Sequence, residues 1–344
     1  MKGFSSKMPS RSILLPPMAI LLALAIGALT ILALGINPIF AYAALFQGAF
    51  GSLHSLTETF VKASPLLFTG LAAAVAFRCR VWNIGAEGQL YMGAVVTTWA
   101  GLTLVEVPAA LLIPLLILLS FAAGAMWAVI AGALKAKFKV NEIILTLMLN
   151  FIAIYFVSYL VEGPWRDPSG ITYSPPLTTS AWLPTLVSGT RLHLGILLAF
   201  VCAVFISLLF RKTVLGYKIQ AIGANPEASR YAGIEVSKTI IIVMVISGGL
   251  AGLAGMGEIA GVQHRLMSGF SPWYGFLGIL VAMLGKLRPF GIVVASILFG
   301  GLLVGGDAMQ RVGGVPAPLV FVLQGLIVLL LLFYEHVFAR FARS

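Results

Sequence analysis

The sequence carries too little charge to cover a surface in water. Asp, Glu, Lys and Arg make up 10% of its 344 residues, where a soluble globular chain needs roughly 25%. That excludes a soluble fold. Intrinsic disorder is excluded as well, because disorder requires low hydrophobicity, whereas 60% of the residues are apolar and the mean hydropathy is +1.04. Cysteine is nearly missing: Cys79 and Cys202 are far apart, with neither CxxC nor metal-ligand spacing, so no disulfide or metal site is expected. Catalytic signatures are missing too. Gly285-Lys286 is followed by Leu287, which rules out an ATP-cradling GxxxxGK[ST] loop, and no HExxH occurs. Asp307 lacks the glycine pattern of an intramembrane aspartyl protease, and Ser247 is not framed as a nucleophile. These absences argue against an enzyme and against any cofactor held by this chain.

Long apolar runs fill the sequence instead, ten of them, at about 13–36, 60–77, 84–105, 109–134, 143–161, 192–210, 239–258, 273–285, 290–306 and 317–334. Their length fits membrane-spanning helices rather than the short alternating strands of a barrel. The eighth is too short to cross comfortably and is expected to be tilted or broken. The first follows Lys2, Lys7 and Arg11 but exceeds a signal-peptide core, so it reads as an uncleaved span. Placing the N-terminus inside puts seventeen of the 22 basic residues on the inner side and leaves Lys62, Arg166, Arg191, Arg265 and Arg311 outside. This bias supports ten spans with both termini inside. The expected fold is all-α, a polytopic membrane protein forming one transmembrane domain over 1–344. Spans 2–5 and 7–10 run in opposite senses and so allow an inverted repeat.

Two loops are long. The outer one, about 162–191, carries Pro164, Pro168, Pro175, Pro176 and Pro184 with Trp165 and Trp182, and reads as a non-helical cap. Ser174 on it is expected to be open to the outside. The inner loop, about 211–238, contains Asn225-Pro226, a helix start with Pro at its first position. Glu227 stands near the positive end of that short helix and Gly233 is placed to stop it. Glu227 and Arg230 should share one face, and Ala224, Ala228 and Ala232 a second, narrow one.

Polar residues within the spans are few and therefore informative. Asn83-Ile84-Gly85-Ala86-Glu87-Gly88-Gln89 sets three polar side chains among glycines that allow the backbone to unwind. The alternative is an ordinary helix start, with Glu87 paired to Arg78 or Arg80. A second cluster, from His264 to Tyr274, ends in Trp273 and Tyr274, where aromatic rings often anchor a membrane interface. Glu258 and Asp307 near outer span ends either line a route or are solvated. Gly248/Gly252 and Gly301/Gly305 suit close helix contact.

With the 83–89 motif on one span and Gly223 to Ile234 on the inner side, the chain resembles the permease subunits of bacterial ABC importers. Within them it is most similar to the branched-chain amino acid, simple sugar and nucleoside branch, and to its nucleoside and simple-sugar members. The similarity runs over nearly the whole chain. It implies a multi-pass protein of the bacterial plasma (inner) membrane, surrounded by lipid. The implied partners are cytoplasmic ATP-binding subunits carrying the ATP, a second permease, and an extracytoplasmic solute-binding protein or lipoprotein; no nucleic acid is involved. Carried over by motif, Gly223, Asn225, Pro226, Glu227, Arg230 and Gly233 become ATPase-coupling residues. Asn83, Glu87 and Gln89 become candidates for the solute path, with Trp273 and Tyr274 as aromatic faces beside them. The alternative is a proton-coupled secondary transporter working through Glu87, Glu258 or Asp307.

Overall fold

The computed structural model describes residues 15–341. Lys2, Lys7, Arg11 and Arg343, which contribute to the charge bias, lie outside the described residues. Among those described, the chain forms α1 (Leu15–Ala33), α2 (Pro38–Phe50), α3 (Leu53–Arg78), α4 (Ala86–Thr103), α5 (Ala109–Phe138), α6 (Glu142–Glu162) and α7 (Gly195–Lys212). There follow α8 (Val214–Ala224), α9 (Pro226–Tyr231), α10 (Val236–Glu258), α11 (Tyr274–Leu284), α12 (Pro289–Arg311) and α13 (Ala317–Phe341). The only β pairing in the described residues is two isolated bridges, Tyr173 with Met267 and Thr185 with His193.

Each of the ten predicted segments falls on one helix. Among the described residues, six helices are long and apolar enough to cross a membrane: α3, α5, α6, α7, α12, and α10 together with the π turn Ile259–Gln263 that extends it. The short eighth segment is the 11-residue α11. Two helices, α2 and α8, were not anticipated; α2 precedes the second predicted segment. α2 begins as α9 does: Asn37 accepts the Ile39 N–H at 2.9 Å on its side chain, and Pro38 takes the first helical position.

The chain divides into two compact units. One holds residues up to Leu56 and from Leu302 onward, and has its own core of Ile31, Ala41, Met309, Val315, Val320 and Leu323. Within it the Tyr42 hydroxyl donates to the Leu24 carbonyl at 2.6 Å, tying α2 to α1. The other unit, Thr57–Gly301, is built around α4, α5 and α10, which pack on one another, and holds the almost wholly buried α3. Here glycine sets the spacing. A Cβ on Gly252 would stand 2.2 Å from the Ser120 carbonyl oxygen, and one on Gly248 2.4 Å from that of Gly124, so α10 lies directly on the α5 backbone.

The 162–191 loop, expected to be non-helical, is so except for one 3₁₀ turn at Thr179–Ala181, and it is held down by main-chain bonds. Leu177 N–H donates to His264 O, Leu183 N–H to Ala260 O, and Thr178 N–H to Gly101 O. Trp182 stacks on the His264 ring at 3.9 Å, and burial pushes that imidazole's pKa down. The expectation for Ser174 is corrected: it is fully buried, because its N–H donates to Leu266 O while its hydroxyl accepts the Leu266 N–H. Ser169 and Ser188 are the exposed serines of this loop.

Candidate functional site

After α3 ends at Arg78, the chain turns back through 79–85 before α4 begins. The backbone of this break would be an expensive set of buried polar groups if left unpaired. One stripe of α6 answers it. Glu142 Oε1 accepts the Trp82 N–H at 3.2 Å, Thr146 Oγ1 accepts the Ile84 N–H at 3.3 Å, and Asn150 Oδ1 accepts the Gly88 N–H at 2.8 Å. The Asn150 amide also donates to the Ile84 carbonyl at 2.8 Å. Positions 142, 146 and 150 recur every fourth residue, which places all three on one face of a helix. Glu142 is in turn paired with Lys135.

Asn83 and Gln89 face one another across the break. Their side-chain amides exchange two hydrogen bonds, at 3.0 and 2.9 Å, and the Asn83 amide also donates to Ser247 Oγ at 2.8 Å. Ser247, midway along α10, donates to the Ala72 carbonyl of α3 at 2.7 Å. All three side chains are at most 1% exposed. The break thus returns to the middle of the helix packing rather than staying at its rim, and the amide pair closes the gap between α3, α4 and α10.

Glu87 pairs with neither Arg78 nor Arg80. It is fully buried; Oε2 accepts the Gly275 N–H at 2.6 Å, while Oε1 has no hydrogen-bond partner among the described residues. Gly275 is the second residue of α11, so the carboxylate sits at the positive end of that helix as well as in the first turn of its own. Contact is so close that a Cβ on Gly275 would lie 2.2 Å from the Glu87 nitrogen. Tyr274 is fully buried here, and its carbonyl accepts the Thr69 hydroxyl of α3 at 3.0 Å. Trp273 departs from this cluster: its backbone is left-handed (φ 63°) and the residue is 54% exposed, as an interface anchor would be.

Toward the N-terminal end of α3, Arg191 Nε donates to Glu58 Oε1 at 3.0 Å and completes an ion pair with the same carboxylate. Glu258 is buried in the field of Lys62 and Arg191, and Lys62 Nζ stands 5.8 Å from the Tyr274 ring centre. Asp307, by contrast, is exposed. From Glu58 to Arg78 the polar groups meet α3 at successive levels, twenty residues or about 30 Å of helix. Sequence reasoning found Asn83, Glu87 and Gln89 but missed Ser247, Asn150, Thr146 and Glu142. Three polar residues spaced by four in the apolar α6 run, Glu142, Thr146 and Asn150, were the available signal.

At the opposite end from Glu58, α9 forms as the motif predicts. The Asn225 side chain accepts the Glu227 and Ala228 N–H groups at 3.0 and 3.1 Å, Pro226 opens the helix, and Gly233 follows it at φ 81°. Asn225, Pro226, Glu227, Arg230 and Gly233 are all exposed, and Tyr231 is 95% exposed. Gly223 belongs to α8, a helix not anticipated within the loop. Its Cβ would meet the Arg78 carbonyl oxygen at 1.9 Å, so glycine there lets α8 rest against the end of α3.

Residues 55–332 match the family described as branched-chain amino acid transport system, permease component. The chain is 38% identical to the guanosine ABC transporter permease protein NupP of Bacillus subtilis, over 92% of each chain. It is 38% identical to the glucose ABC transporter permease protein TsgB13 of Haloferax volcanii, covering 93% of this chain and 87% of that one. With the nucleoside ABC transporter permease protein NupB of Lactococcus lactis it shares 34% identity, over 93% and 90%. No solved structure matches.

Proposed function

The chain belongs to the branched-chain amino acid transport system permease family, and from that membership we infer that it is the membrane-spanning subunit of an ATP-binding cassette importer. Its solute is a nucleoside or a simple sugar. The observation that carries this is the 34–38% identity, over nine-tenths of the chain, to permeases named for guanosine, nucleosides and glucose. ATP hydrolysis belongs to separate cytoplasmic subunits. An extracytoplasmic binding protein delivers the solute, and a second permease completes the pathway. NupP and NupQ, both similar to this chain and both from Bacillus subtilis, support such a pair.

In this reading the ten segments cross the plasma membrane, with both termini inside. The solute passes through the α3, α4, α10 and α11 packing, where the polar groups span about the thickness of a bilayer's hydrocarbon core. Asn83, Gln89 and Ser247 form the closed point of that route. Opening it exposes amide donors and acceptors suited to hydroxyls and ring nitrogens, which a neutral polar solute can satisfy. Glu87 and Tyr274 line the step above, and Trp273 sits at the entrance. α9 is the element that receives ATPase motion, since a rigid surface helix between α7 and α10 can move both.

Uptake of labelled guanosine and labelled glucose by cells expressing the importer, against cells lacking only this chain, tests the proposal. One of the two should accumulate only when the chain is present. Unchanged uptake of nucleosides and sugars alike would overturn it.

A further inference from the structure

The end of the larger unit that carries α8 contains a cavity of about 530 Å³ whose charged lining is entirely basic. Arg78 ends α3, Arg211 lies in the last turn of α7, and Arg288 immediately precedes α12; all three line the cavity, together with Phe210, Tyr217 and Gln220. No carboxylate lines it, and none of the three arginines forms an ion pair among the described residues. Three like charges gathered around one hollow repel one another unless an anion enters.

The geometry is built rather than incidental. The Arg78 guanidinium lies over the Phe210 ring, 4.1 Å from its centre, and its Nε donates to the Leu287 carbonyl at 2.9 Å. Those two contacts fix its plane and leave its terminal nitrogens for another acceptor. The Leu287 carbonyl is presented by a turn in which Lys286 and Leu287 both have left-handed backbones, with φ of 53° and 55°. The same turn delivers Arg288. Apolar side chains continue from the cavity along both helices that flank it: Phe205 and Leu208 on α7, and Phe290, Val294 and Leu298 on α12, are between 44% and 79% exposed.

We propose that this cavity binds the phosphodiester headgroup of an anionic phospholipid, with the acyl chains lying along α7 and α12. Arginine suits the group because its planar fork matches two phosphate oxygens at once. The exposed apolar surfaces favour a lipid over a free phosphate ion, which would need no such flanks. This assignment requires only that the chain sit in a bilayer; it does not depend on which solute is imported.

Native mass spectrometry of the purified, delipidated full chain, titrated with phosphatidylglycerol, phosphatidylcholine of the same acyl chains, or inorganic phosphate, tests it. Wild type should retain phosphatidylglycerol in clear preference to phosphatidylcholine. Arg211→Gln with Arg288→Gln should weaken that retention about twentyfold or more, at roughly fivefold per basic side chain. Both positions are exposed, so the variant should fold. Lys238→Ala, a loss of charge away from the cavity, should leave the preference unchanged. Equal retention of the two lipids, or a preference that survives the double substitution, would overturn the site. Displacement of phosphatidylglycerol by millimolar phosphate would overturn the lipid as its occupant and leave a soluble anion in its place.

Discussion

Replacing Asn150 by alanine should cost far more than its single small side chain suggests. The amide is fully buried and holds one backbone group of the break and one of the first turn of α4, the Ile84 carbonyl and the Gly88 N–H, each at 2.8 Å. Leaving a buried group unpaired costs about 1–3 kcal/mol. Gly88 is buried, but Ile84 is only half-buried and can recruit water, so the sum should be about 2–4 kcal/mol. Asn141 on the same helix supplies the comparison. Its exposed side chain caps α6 by accepting the Ile143 N–H, and loss of such a cap costs about 1 kcal/mol. Asn150→Leu adds a sharper control: it keeps the side-chain volume but makes neither bond, so it should be no better than alanine. The assay is the unfolding midpoint of the purified chain in one detergent, alongside its transport rate. If Asn150→Ala unfolds no earlier than Asn141→Ala, α6 does not hold the break in place.

Close helix contact makes a second prediction. Gly252→Ala should destabilise the chain by about 1–3 kcal/mol through overpacking, since its Cβ meets the Ser120 carbonyl. Gly325→Ala on α13, with nothing within 4 Å of the added carbon, should be neutral or stabilising in the same melt. For topology, in a chain lacking Cys79 and Cys202, Ser169→Cys should react with a membrane-impermeant thiol reagent in intact cells, and Ser237→Cys should not. The reverse pattern would invert the placement of the loops. For coupling, Glu227→Arg with Arg230→Glu keeps the net charge, and both residues are exposed on α9. The protein should insert normally yet lose co-purification with its ATPase; wild-type co-purification would remove α9 from the docking surface.

Local rules carried the sequence reading where one segment decides its own structure. Asn225-Pro226 and Gly233 bound α9 because capping, a fixed φ and a left-handed stop are properties of neighbouring residues. The same rule, applied to Asn37-Pro38, would have found α2. The helix start at Ala86 was legible in Gly85, whereas Gly88, expected to unwind the backbone, lies within α4. The partners of the break were not legible, since Ser247 lies 164 residues from Asn83 along the chain, and only the packing of α4 against α10 brings them together. Glu87 illustrates the limit most clearly. Its nearest cations in sequence, Arg78 and Arg80, suggested an ion pair, whereas a buried carboxylate can also be stabilised by the end of a helix contributed from elsewhere. The Gly275 N–H does this from 188 residues away. Ser174 failed for a related reason, because a polar residue on a loop is exposed only if that loop does not fold back over the helices.

The central claim, that this chain conducts a nucleoside or sugar under the control of ATP hydrolysed elsewhere, is tested most directly in sealed proteoliposomes. These would contain the permease pair and its ATPase, with the ATPase side facing out, so that import runs from the lumen to the medium. The lumen would be loaded with binding protein and labelled solute, and ATP or a proton gradient supplied in turn. Solute should leave the lumen only when ATP is added, and not at all when an ATPase incapable of hydrolysis is used. Movement driven by the proton gradient without ATP would contradict the account.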